Sequence, residues 1–147
     1  MALLNSSRVV VGGLAAGLVM NVIDAVTNGA LLGQRWQAAT DALNPGLSAK
    51  MGMSGTLGWV IVDFVLGLLT VWVYAAARPR LGPGPRTALT AALVVWLASH
   101  AAYASYAFMG LYPWSVIIPS SIGGLIAALA GGYVGAMLYR EEPGPRG

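Results

Sequence analysis

Four apolar stretches dominate the chain, at about 9–32, 56–77, 87–110 and 114–139. Each exceeds the roughly 20 residues that a helix rising about 1.5 Å per residue needs to cross a hydrocarbon core of about 30 Å. Inside lipid, backbone N–H and C=O groups must be satisfied within the segment, so each stretch is expected to be a helix. Composition supports this: of 147 residues, 57% are hydrophobic and 9% charged, and mean hydropathy is +0.71. A soluble domain usually carries about a quarter charged residues. The expectation is an all-α polytopic protein: one four-helix transmembrane domain over 1–147, with the lipid bilayer as its main surroundings.

Charges between the runs set the expected orientation. Arg8 precedes the first run, Arg78, Arg80 and Arg86 fall in the connection 78–86, and Arg140 and Arg146 fall in the tail 140–147. Only Arg35 and Lys50 occupy the other side, in the loop 33–55. The positive-inside rule then places both termini and 78–86 in the cytoplasm and 33–55 outside. Three prolines in "ARPRLGPGPR" are expected to bar a continuous helix there. The first run is longer than the apolar region of a signal peptide and contains Asp24, so it reads as a retained span. The net charge of +3 is dispersed and forms no stripe, which argues against nucleic acid as a partner.

In the external loop, "RWQAATDALNPG" puts Trp36, Ala39 and Leu43 at helical spacing, and Asn44-Pro45-Gly46 ends the pattern. A short interfacial helix anchored by Trp36 is expected, with a lid over the bundle as the other reading. The longer stretch "NGALLGQRWQAATDAL", about 28–43, resembles a signature of small bacterial four-helix integral membrane proteins of unknown function. In those, a Leu-Gly turn closes the first span and a Trp-bearing interfacial helix follows. The resemblance implies a multi-pass protein of a bacterial cytoplasmic membrane and brings no catalytic residues with it.

Glycines carry the packing signal. In the fourth run Gly123, Ala127, Gly131 and Gly135 repeat at every fourth position, beside a second row of Gly124, Ala128, Gly132 and Ala136. Gly13 and Gly17 form a shorter version in the first run. Small residues four apart let helices approach closely where no hydrophobic force joins them. Two readings follow: internal packing of the first and fourth spans, or a face for a homo-oligomer or a larger membrane complex.

Against this background the polar residues stand out. Asn21, Asp24 and Asn28, spaced i, i+3, i+7, share one helical face with Gly13 and Gly17. The second run adds Asp63, on a stripe with Trp59, Gly67, Thr70 and Tyr74. The third adds His100, flanked by Trp96 and Tyr103, with Ser99 and Tyr106 beside them. The fourth adds Ser115, Ser120 and Ser121 around Pro119, which deprives the Ser115 carbonyl of its helical donor. Counted inward from the outer boundary, Asp24, Asp63, His100 and Ser120 lie roughly 12, 10, 15 and 9 Å deep. Buried membrane carboxylates are costly unless they pair or line a wet cavity. A shared layer is therefore expected in the outer half, with Asp24, Asp63 and His100 as its ionisable cluster. Asn21, Asn28, Trp96, Tyr103, Ser115 and Ser120 are expected to line the same cavity.

Several chemistries are excluded or left without support. The chain has no cysteine, so thiol catalysis, thiolate metal sites and disulfides are absent. One histidine cannot supply two axial haem ligands, and no spacing reinforces a metal site from His100 and the aspartates. No hydrolase or nucleotide motif occurs. No cofactor, metal or catalytic residue is therefore assigned. The sequence reads as a small binding or transport module for a proton, cation or small solute. An accessory subunit of a larger membrane complex is the main alternative, and a membrane enzyme acting on a lipid or quinone a third.

Overall fold

The computed structural model describes residues 4–140 as a bundle of α-helices. The cytoplasmic tail expected at 141–147, including Arg146, lies outside the described residues. Helix α1 spans Ser6–Asp24 and passes into a π-helical segment, Ala25–Leu31. Then come α2 (Gly33–Leu43), α3 (Leu47–Leu81), α4 (Pro85–Phe108) and α5 (Trp114–Leu138). The α1–π segment, α3, α4 and α5 are each long and apolar enough to cross a membrane.

Local chemistry accounts for the boundaries. Asn5 caps α1, its side-chain oxygen accepting from Arg8 N at 3.0 Å. Gly46, at φ 76°, makes the left-handed turn from α2 into α3. Pro85 opens α4, where its missing N–H leaves no extra group unsatisfied. The α2–α3 turn is tied by Asp41, whose carboxylate accepts from Ser48 N at 2.9 Å and Ser48 Oγ at 2.8 Å. Those two donors hold the Asp41 carboxyl below its ordinary range.

Three boundaries differ from the sequence expectation. The second long helix starts within the expected external loop, at Leu47, with a non-helical break at Gly52 (φ 40°, ψ −132°). It also runs through Pro79 to Leu81, so the connection to α4 is only Gly82–Gly84 rather than 78–86. A proline this near a helix end removes one backbone bond without stopping the last turn. The first run is not one uniform helix, because its outer third widens to i→i+5 bonding, as in Leu32 N to the Thr27 carbonyl at 2.9 Å.

The interior consists largely of small side chains, and the outward faces are apolar, with Leu18, Ile61, Leu97 and Ile126 all more than half exposed. This inverts the arrangement of a water-soluble bundle, which covers its outside with charge. Helix α1 sits between α3 and α5, with α4 closing the far side against both. A second Cβ has no room at several contacts. At Gly13 it would lie 2.7 Å from Leu68 Cα, and at Gly17 2.7 Å from Phe64 Cα. At Gly131 it would lie 2.7 Å from the Ala16 carbonyl oxygen, and at Gly135 2.7 Å from that of Gly12.

The small-residue rows are thus occupied inside the chain. Gly13 and Gly17 face α3, not the fourth long helix, and it is the adjacent face of Gly12, Ala16 and Met20 that meets Gly131 and Gly135. The first row of α5, including Ala127 (3% exposed), turns to the first helix, where Gly123 meets Thr27. The second row turns toward α4, with Gly124 under His100 and Gly132 under Ala92. An oligomer built through either row would have to displace a helix of the same chain.

One end of the bundle is closed by aromatic groups. The Arg78 guanidinium lies over Tyr74 and Tyr139, 5.8 and 5.4 Å from their ring centres. Tyr139 OH accepts from Asn5 N, and Tyr74 OH from Gly84 N. The start of α1, the α3–α4 turn and the end of α5 therefore meet at the same end.

Candidate functional site

Asp24 ends the α-helical part of the first segment, and Asp63 lies on the buried side of α3. Close approach at Gly67, one turn from Asp63, and at Gly17 and Gly13, about two and three turns from Asp24, brings these two helices together. As a result Asp24 and Asp63, from different helices, line one cavity. Asp63 is buried, and Asp24 Oδ1 is shielded from solvent with no N–H or O–H donor among the described residues. Two carboxyls facing one small cavity repel each other when both are ionised.

Beside the pair is a cavity of about 40 Å³, lined from all four long helices. Its polar lining is Asp24, Asp63, Thr70, Ser99 and His100, with the Trp96 ring alongside; Met20, Leu66 and Val95 make the apolar wall. That volume holds one or a few waters. Small residues of α5, Gly124, Ala127 and Ala128, leave the space open.

His100 is fixed by its own helix. Its Nδ1 donates to the Trp96 carbonyl at 3.1 Å, and Ser99 Oγ donates to the same carbonyl at 3.0 Å. The ring stacks on Trp96, with centres 5.1 Å apart and planes at 27°. Trp96 is itself anchored by Nε1 donating to the Ser121 carbonyl at 3.1 Å. With Nδ1 so engaged, Nε2 is the free ring nitrogen. It lies over Gly124, where an added Cβ would come within 2.6 Å of it.

The other polar residues expected around this cavity go elsewhere. Asn21 donates from Nδ2 to the Gly17 carbonyl at 2.9 Å and the Val60 carbonyl at 3.3 Å, joining α1 to α3. Asn28 belongs to a separate network nearer the end of the bundle that carries α2. Its Oδ1 accepts from Ser120 Oγ at 2.7 Å and from Trp36 Nε1 at 3.1 Å, while Tyr103 OH donates to Ser120 Oγ at 3.3 Å. Ser115 is exposed on the first turn of α5 and lines nothing. The cause of the split is the π segment. Its wider turn begins immediately after Asp24, so Asn28 no longer falls on the face that i, i+3, i+7 spacing implies.

Tyr103 joins the two levels. Its ring contacts His100 at 5.6 Å on one side and Trp36 at 6.3 Å and Trp59 at 6.5 Å on the others. Trp36 also meets Tyr112 edge-on at 5.3 Å. Trp36 therefore turns inward and roofs the bundle, rather than only anchoring an interfacial helix.

Sequence reasoning placed Thr70 on the Asp63 stripe without assigning it to the site, yet it is 1% exposed and lines the cavity. The spacing of seven residues from Asp63, two helical turns, was the available signal. Among the described residues no group of three His, Asp or Glu side chains is arranged to hold a metal ion. His100 and the carboxyl pair thus share a cavity without forming one ligand cluster.

No known family model matches this sequence, and no curated protein or solved structure does either.

Proposed function

We propose that the chain is a multi-pass protein of a bacterial cytoplasmic membrane, with the Arg78-bearing end of the bundle facing the cytoplasm. In this reading it is a small binding or transport module that takes up a proton or a small cation at Asp24 and Asp63. The observation that carries this is their convergence: the only two acids of the four long helices, from different helices, line one cavity with His100 and Thr70. Glue between helices needs only neutral amides, as Asn21 and Asn28 illustrate, whereas a carboxyl pair is costly to bury and chemically active. The arginines at the end where α1 starts and α5 finishes support the orientation.

The test is ion movement into liposomes holding the purified chain and a pH-sensitive dye. Wild-type protein should dissipate an imposed pH gradient, and Asp63→Asn should not, while keeping its helical content. Equal rates with wild type, with Asp63→Asn and with empty vesicles would end the reading. A docking role in a larger complex would need a surface other than the glycine rows, which the chain's own helices cover.

A further inference from the structure

Thr70 carries a feature that the carboxyl pair does not explain. Its side chain is almost completely buried, and its hydroxyl has no hydrogen-bond partner among the described residues. Its methyl group is seated against α5, where a Cβ on Gly132 would lie 3.0 Å from Cγ2. A threonine in a helix can satisfy its hydroxyl on the carbonyl one turn back. Thr90 does this at 2.8 Å to Arg86, whereas Thr70 does not, although the same option exists. An unsatisfied buried hydroxyl is costly, and valine would fill the same volume without that cost. The hydroxyl therefore has a use, and Thr70 lines the cavity shared with Asp24, Asp63 and His100.

The cavity also discriminates between occupants. About 40 Å³ is room for one or a few waters, but not for a metal cation with its hydration shell. A dehydrated cation would need both carboxylates ionised and parted around it, with further oxygens completing its shell. Here the two carboxyls share one small cavity, and much of the remaining wall is apolar.

We propose that the cavity is a hydrated proton site. One or a few waters bridge the Asp24–Asp63 pair to the Thr70 hydroxyl, and the species taken up is a proton rather than a metal cation. This rests on the function proposed above and narrows it. Thr70 is a positioning residue: its hydroxyl orients the water, and the proton resides on the carboxyl pair.

Infrared spectroscopy of the full chain in lipid nanodiscs tests this directly. The carboxylic C=O stretch of the pair is identified by its loss in Asp24→Asn and Asp63→Asn. Thr70→Val, which keeps shape and removes the hydroxyl, should shift that band, and Thr70→Ser should restore it. A band unmoved in a folded Thr70→Val protein overturns the inference. Sodium or potassium added to the wild-type protein should leave the band intact, a measurement independent of any variant. Its replacement by carboxylate bands on adding the cation would overturn proton selectivity. Gradient dissipation lost in Asp63→Asn, with the band unmoved by Thr70→Val, would defeat the water bridge and keep the transport reading. A band moved by Thr70→Val in a protein that passes no protons would do the reverse.

Discussion

Asp24 and Asp63 come from different helices and line one cavity, because glycines at 13, 17 and 67 let α1 and α3 approach closely. Their chemistry therefore depends on packing one to three turns away along the helices. Gly17→Ala would set a Cβ 2.7 Å from Phe64 Cα, a contact that backbone must move to relieve. Such overpacking costs about 1–3 kcal/mol. Thermal unfolding in detergent should show that loss, and proton movement should fall with it. Gly58→Ala is the control: nothing lies within 4 Å of its Cβ position, so stability should hold or rise slightly.

Replacing either carboxyl by an amide should separate site from scaffold. Asp24→Asn and Asp63→Asn each preserve shape and one hydrogen-bonding oxygen. Proton movement should drop at least about tenfold in each, given what a positioned proton-transfer group contributes. Melting temperatures should stay close to wild type, because shape is preserved. Lower melting temperatures in both, with unchanged flux in liposomes, would mark the pair as structural.

The outer network predicts a coupling. Trp36 Nε1 and Ser120 Oγ both donate to Asn28 Oδ1, so Asn28→Ala strands two donors while Trp36→Phe removes one. A double-mutant cycle on unfolding should give a coupling of about 0.5–1.5 kcal/mol, the range for one hydrogen bond. Amide exchange across Gly33–Leu43 should speed up in both single variants, because α2 loses its tie to the bundle. Exchange unchanged in both would show that α2 is held by other contacts.

Asp41 provides the pH dependence that can be signed. Its carboxyl is held below the ordinary value of 3.8 by the Ser48 N–H and hydroxyl. A depressed folded-state value means the stabilisation is complete above the unfolded carboxyl value and disappears as pH falls through the folded one. The α2–α3 turn should accordingly be unaffected between pH 5 and 8 in this respect and loosen only below about pH 4. Protection of the Ser48 amide, read by hydrogen exchange across that range, should show this step in wild type and lack it in Asp41→Asn.

At the opposite end, Arg78→Ala should weaken the closure around Tyr74 and Tyr139. Cation–π contacts of this kind contribute about 0.5–2 kcal/mol. Arg78→Lys should recover part of the loss, since it keeps charge but not the flat guanidinium that stacks on rings. Unfolding midpoints of the two variants, compared in one detergent, distinguish ring contact from charge alone.

Much of the fold was legible in the sequence, because the determinants are one-dimensional. An apolar run of sufficient length becomes a helix whatever its neighbours, and Asn44-Pro45-Gly46 ends one by local geometry. Asp63 is buried and lines one cavity with His100, as expected where polar groups in apolar helices turn inward at depths that can be counted along the chain. Which rows of small residues meet which helix could not be read this way. Gly13-x-x-x-Gly17 looks the same whether its partner is α3 or α5, and only three-dimensional packing chooses between them. Nor could helical spacing foresee the π turn that starts after Asp24, because it assumes 3.6 residues per turn throughout. That one change of pitch sends Asn28 to Ser120 and Trp36 and leaves Asp24 with Asp63. The residue types and depths were therefore determined locally, while pairing was decided by how closely the helices approach and where one of them unwinds.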